Sequence, residues 1–219
     1  MTLRDRILGT SRGFQFFKWT IGSDRAMGVF AREHIRPVAG ERILDAGCGL
    51  GDILEYLPEV DYTGIELNEA YVERARRRYG EGPTFLHASV DGLVSLGVGG
   101  FDCALVVSVL HHLTDEQVEN LVAGLPRVLK PGGRLVTVDP VWLPQQATTA
   151  RVLIALDRGR YVRDLAGYRR LLEAEFDEVK FTVHQDLLRL PYTYCVSESR
   201  VRRGALSDPA EPVTSPARP

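Results

Sequence analysis

Hydrophobic positions along the chain alternate between two rhythms. Short, nearly continuous apolar runs end at 43–44 and recur at 62–66, 84–89, 101–108 and 134–139. Runs of this length read as buried parallel strands. Between them lie stretches with apolar residues at helical spacing. Residues 26–35 form one such stretch, ended by Pro37 and Gly40. A second follows Asn68 as its N-cap, with Tyr71, Val72, Ala75 and Tyr79 apolar. A third starts at the capping box Thr114-Asp115-Glu116-Gln117 and carries Val118, Leu121, Val122 and Leu125. Pro126 is expected to kink or break it. Helices are also expected at 148–156 and through Leu171, Leu172 and Phe176. Residues 178–184 and 192–197 alternate like an antiparallel pair. Strands alternating with helices predict an α/β fold with a mostly parallel sheet.

The first strand runs into Asp45-Ala46-Gly47-Cys48-Gly49-Leu50-Gly51-Asp52, and a helical pattern begins at Ile53. Strand, glycine-rich turn and helix in that order make a nucleotide site, because glycine lets backbone approach a ligand closely. The free N–H groups of a following helix would add to it. A dinucleotide fingerprint wants G-x-G-x-x-G. Here the sixth place counted from Gly47 is Asp52, and the spacing is G-x-G-x-G with Asp45 two residues ahead. A carboxylate there repels pyrophosphate but suits a ligand bearing an ammonium or sulfonium group. Glu66 ends the second strand 19 positions after Gly47 (66 − 47). An acid in that place can accept both hydroxyls of a ribose.

D-A-G-C-G-L-G resembles the first motif of class I S-adenosylmethionine-dependent methyltransferases. Two later segments, F-D-x-x-x-x-x-S-x-L-H-H-L from Phe101 and L-K-P-G-G-R-L from Leu129, resemble the same family, so the likeness covers residues 41–140. It implies a single doubly wound, mostly parallel seven-stranded sheet, with a C-terminal antiparallel strand pair and helices on both faces. It implies S-adenosylmethionine as cofactor, held by Asp45, Ala46, Gly47, Cys48, Gly49, Glu66, Leu67, Ser89, Val90 and Ser108. The family usually has an acid just after the third strand; here Ser89 holds that place and Asp91 follows, so either of them, or backbone groups, meets the adenine. A domain at 41–203 is expected, with a helical insertion at about 145–175. A helical cap over 1–40 precedes it, rich in aromatics (Phe14, Phe16, Phe17, Trp19, Phe30), and a disordered tail at 204–219 follows.

Composition narrows the partners. A net charge of −2 and 26% charged residues supply no general pull toward nucleic acid or anionic membrane. No N-P-P-Y or D-P-P-Y motif follows the fourth strand to hold a flipped base. Cys48, Cys103 and Cys195 are scattered, which speaks against a zinc site or disulfide framework and for a reducing, cytoplasmic compartment. No apolar run approaches a membrane span, and the first residues lack the apolar core of a signal peptide. The expected reaction is methyl transfer to a small-molecule acceptor by in-line attack, with no metal. An NAD-dependent oxidoreductase or epimerase is the alternative, opposed by Asp52. His111 and His112 lie just past a strand end, where α/β folds bind ligands. Of the two, His111 is the candidate base for the acceptor. Arg74, Arg76, Arg77 and Arg78 read as a solvated face, and Arg158, Arg160 and Arg163 as a clamp for an anionic acceptor or a salt-bridged surface. Oligomeric state and the methylated atom are left open.

Overall fold

A computed structural model describes residues 23–156 and 159–202. The aromatics before Ser23, Arg158 and the 204–219 tail lie outside the described residues, as does the side chain of Asp91.

Helix α1 (Ser23–Val29) continues into a wider turn at Phe30–Ile35, whose Phe30, Ala31 and Ile35 are buried. Strand β1 (Arg42–Ala46) enters the glycine loop and is followed by β2 (Asp61–Glu66), helix α2 (Glu69–Tyr79) and β3 (Thr84–His87). Strand β4 (Phe101–Val107), helix α3 (Asp115–Val128) and β5 (Leu129–Trp142) form the centre. Helix α4 (Thr148–Ala155), the two-residue β6 (Arg163–Asp164), helix α5 (Leu165–Leu172), β7 (Phe176–His184) and β8 (Tyr194–Val201) complete the chain.

Seven strands run in the order β3-β2-β1-β4-β5-β8-β7, with β6 paired to the end of β5. The pairs β3-β2, β2-β1, β1-β4 and β4-β5 are parallel, and β8 is antiparallel to both β5 and β7. One core cluster packs α3 and α5 on one face, through residues such as Leu44, Ala104, Leu121 and Leu171. The other packs α1 and α2 on the opposite face, through Phe30, Ile43, Val72 and Leu105. The chain winds outward from β1 to β3 and then returns to place β4 on the other side of β1. That reversal opens a crevice at the C-terminal ends of β1 and β4, where such sheets bind ligands.

Four local expectations need correction. The helix expected through Leu171, Leu172 and Phe176 ends at Leu172, and Phe176 opens β7. The helix expected from Ile53 is a single tight turn, Asp52–Tyr56. Pro58 explains this: the residue before a proline is pushed out of the helical region, and Leu57 is extended at φ −97°, ψ 150°. Pro126 does not break α3, which runs on to Val128; the proline falls in the last turn, packed in the core beside Leu125. Lys130-Pro131-Gly132-Gly133 is not a turn before the strand but a bulge within β5, because Leu129 pairs with Phe101 and Arg134 with Cys103.

Candidate functional site

The glycine loop is built by its neighbours. The N–H groups of Gly47 and Cys48 both donate to the Ile65 carbonyl, at 2.8 and 3.0 Å, tying the loop to β2. Gly47 has φ 86°, and a Cβ there would stand 2.4 Å from Val109 Cγ2. Gly49 has φ 56° and no atom within 4 Å of its would-be Cβ. One glycine makes room for protein, and the other keeps space open.

That space is a cavity of about 250 Å³ lined by Asp45, Gly47, Cys48 and Gly49 with Met27, Leu50, Asp52, Ile53, Tyr71, Arg74 and Val107. Asp45 is 2% exposed. Its Oδ2 accepts from Tyr62 Oη at 2.7 Å, and its Oδ1 has no hydrogen-bond partner among the described residues. Burial raises the Asp45 carboxyl to about 7 against the opposing Tyr62 hydrogen bond, and the Glu66 carboxylate adds to the rise. A buried, half-satisfied carboxylate beside an open cavity fits a cationic ligand.

Glu66 does not line the cavity but borders it. Its Oε2 accepts from the Gly49 N–H at 3.0 Å and its Oε1 from the Asn68 N–H at 2.8 Å. Each oxygen keeps further acceptor capacity. Leu67, next along, is 67% exposed. Ser89 and Val90 start the short turn Val90–Leu96 after β3. Ser108 is exposed at the end of β4 with φ 57°, an uncommon backbone for serine, and its N–H donates to the Val138 carbonyl at 2.8 Å. Ala46 is buried in the core on the far face of β1.

The arginines of α2 are not a solvated face alone. Arg74 lines the cavity. Arg76 donates to the Phe85 carbonyl at 2.5 Å, and Arg78 pairs with Asp52 at 2.5 Å and with Glu55. Arg163 is a brace rather than a clamp, donating to the carbonyls of Leu110 and Leu113 and to Asp115. Nothing in the sequence marks Met27 or Tyr62 as a site residue, and it marks Tyr71 only as an apolar helix position and Arg74 only as part of a solvated face.

His111 sits apart from this cavity, at the end of β4 beside β5. It is 3% exposed. Asp139 Oδ1 accepts both the His111 backbone N–H at 3.1 Å and Nδ1 at 2.7 Å. The backbone group is a donor, so Oδ1 is an acceptor, and a hydrogen on Nδ1 suits this pair. Asp139 is fully buried; desolvation raises its pKa, and His111 opposes that. A Cβ on Gly159 would come within 2.0 Å of His111 Cδ2, and Tyr161 N–H donates to the His111 carbonyl at 3.0 Å, so this segment covers the ring. His112 is exposed, its ring centroid 4.1 Å from that of His111.

A family model described as a methyltransferase domain matches residues 43–133, which hold the glycine loop, Glu66 and the histidine pair. The chain carries a class I, S-adenosylmethionine-dependent methyltransferase domain. The O-methyltransferase cnsE of Penicillium expansum is 33% identical over 124 residues, 53% of this chain and 43% of that protein. The 27-O-demethylrifamycin SV methyltransferase of Amycolatopsis mediterranei is 33% identical over 122 residues, 50% of this chain and 42% of that protein. The match thus spans less than half the length of either relative. Among solved structures, the 1,6-didemethyltoxoflavin-N1-methyltransferase of Burkholderia thailandensis, with S-adenosylhomocysteine bound, superposes with a TM-score of 0.66 at 20% identity. That match covers 91% of this chain and 87% of that one, and it shows that the methyltransferase domain has the family's fold. No helix among the described residues is long and apolar enough to cross a membrane, and no group of three or more metal-ligating side chains is present among them.

Proposed function

We propose that this chain binds S-adenosylmethionine in the Asp45–Gly49 cavity and transfers its methyl group to a small-molecule acceptor. The observation that carries the reading is that Asp45, whose Oδ1 has no partner among the described residues, and Gly49, with open space at its would-be Cβ, line one cavity. When bound, the cofactor supplies a methyl group on a sulfonium that needs little acid assistance to leave. Asp45 offers charge to the cationic end, Gly49 allows close approach, and Glu66 accepts the ribose hydroxyls. Leu67 gives an apolar surface for the adenine, with Ser89, Val90 and Ser108 around the rim. Relatives named for O- and N-methylation of small molecules support the acceptor class.

His111 is the proposed base. Asp139 holds Nδ1–H and stabilises the ring when Nε2 takes a proton from the acceptor. The segment at Gly159 packs against the same ring, on its Cδ2 edge. The oxidoreductase alternative finds no support: Asp52 stands at the third fingerprint glycine, its side chain bound by Arg78.

Thermal denaturation with added ligand tests the reading. S-adenosylmethionine and S-adenosylhomocysteine should each raise the melting temperature, by an amount that grows with the ratio of ligand to Kd, while NAD should not. Stabilisation by NAD alone would overturn it.

A further inference from the structure

Asp45 and Asp139 each have one oxygen held and one unpartnered among the described residues, but of the two only Asp45 lines the cavity. The holder is Tyr62, 1% exposed and set inside an aromatic cluster: its ring lies 5.7 Å from Phe85, which stacks on Tyr79 at 5.9 Å. In the β1-β2 register Asp45 faces Gly64, which has no side chain, and Tyr62 lies two residues earlier on the same strand face. The tyrosine hydroxyl therefore reaches along β2 to Oδ2 at 2.7 Å. Burial and the Asp45 charge push the Tyr62 hydroxyl far above its ordinary pKa, so it stays a donor. With the carboxyl plane fixed by this bond, Oδ1 stays buried and unpartnered among the described residues, on a residue that lines the cavity.

Resting on the S-adenosylmethionine reading above, we infer that Tyr62 is a positioning residue for cofactor binding, and that occupation of the cavity by a cation displaces a proton from Asp45. Burial and the groups that face Asp45 set the balance. Burial of Asp45 favours its protonated form in the empty site, and the Glu66 carboxylate adds to this. Cys48 in the loop and Cys103 on β4 also face Asp45, but both thiols are pushed upward by burial and stay neutral. No Lys, Arg or His among the described residues hydrogen-bonds Asp45; Arg74 and Asp52 line the same cavity, and a ligand cation at Oδ1 would add the missing partner. A cation at Oδ1 favours the ionised form and releases the proton.

The sign follows. The contribution of Asp45 to affinity should be flat above the empty-site value of about 7 and fall as pH drops below it, up to tenfold per unit. The cofactor's own amine titrates near 7.7–8.0, so the informative window lies at and below pH 7. Isothermal titration of the full chain with S-adenosylmethionine, repeated at pH 7 in buffers of different ionisation enthalpy, should show release of about half a proton, because a group with a pKa of about 7 is half protonated there. Tyr62→Phe removes the bond that holds the Asp45 pKa down. If the shift is about one unit, affinity at pH 7 should fall about fivefold and the release should approach one proton. Asp45→Asn should bind with no proton release. A merely structural tyrosine would change melting temperature without moving the pH profile. Binding by the parent with an enthalpy independent of buffer overturns the inference and leaves the cofactor reading standing. No binding of S-adenosylmethionine at any pH overturns both. If Tyr62→Phe does not fold, the parent's buffer series still decides.

Discussion

Two buried carboxylates stand at strand ends in this molecule, and their neighbours give them opposite characters. Asp45 ends near the C-terminus of β1 and Asp139 near that of β5, with β4 between them. Both are almost fully buried, both are raised by desolvation, and each has one oxygen without a partner among the described residues. Asp45 is bonded to a tyrosine that stays neutral and lies beside an open cavity. Asp139 is bonded to a histidine that can take a proton, and that histidine is covered at Gly159. Burial alone does not assign a role to a carboxylate. The chemistry of its partner, and whether space is left in front of it, decide between holding a cation and orienting a base.

The largest effect should come from the covered side. His111→Gln should lower the chemical step by roughly 10²–10⁴-fold with cofactor affinity unchanged, measured by single turnover and calorimetry. Near-parental turnover would remove the base from the scheme and leave Asp139 a structural acid. On the open side, Gly47→Val should cost about 2–5 kcal/mol of stability, because it combines a left-handed backbone with a collision against Val109. A variant as stable as the parent in denaturant unfolding would show that Val109 moves away freely. Glu66→Ala should weaken S-adenosylmethionine by about 1–3 kcal/mol, since it removes acceptors for a ribose and also frees the Gly49 and Asn68 N–H groups. Unchanged affinity would take Glu66 off the ribose.

Much of the open side was legible in the sequence, and little of the covered side was. Asp45, Gly47, Cys48 and Gly49 are contiguous, so one motif displays them together. Tyr62 and Met27 join them only through strand register and helix packing, which spacing along the chain does not reveal. The His111–Asp139 bond joins residues 28 apart across neighbouring strands. Asp139 read from sequence as only the acid that ends an apolar strand. The short turn after the glycine loop was foreseeable: Pro58 is in plain view, but the apolar spacing at Ile53 suggested a longer helix. Pro126 misled in the opposite direction, because a proline in a last turn gives up little that burial cannot offset.

A smaller effect should appear on acidification, away from both sites. His34 on the α1 side bonds His184 at 2.8 Å between Nε2 atoms and Glu198 at 2.9 Å through Nδ1, with Arg36 also on Glu198. Burial, then the neighbouring His34, lowers the His184 pKa. Burial alone would raise Glu198, but the bonds from His34 and Arg36 overcome it and lower the value. Both groups are depressed in the folded state, so their contribution is present above their unfolded values and is lost as pH falls through the folded ones. For His184 that loss begins below about 6.5. Buried Asp45 and Asp139, raised in the folded state, act with the opposite sign, so the test is the difference between two curves: relative to the parent, His184→Gln should lose less melting temperature, or gain more, between about pH 7 and 5; parallel curves would place the acid sensitivity elsewhere.

The central claim is that the space in front of Gly49 belongs to the cofactor. Gly49→Asn tests it most directly, because asparagine tolerates the left-handed backbone there while its side chain enters the cavity. Calorimetric titration with S-adenosylmethionine should show affinity reduced by at least about 100-fold, or ~2.7 kcal/mol, with the melting temperature of the ligand-free protein within a few degrees of the parent. A variant that folds and binds S-adenosylmethionine as tightly as the parent would contradict the account.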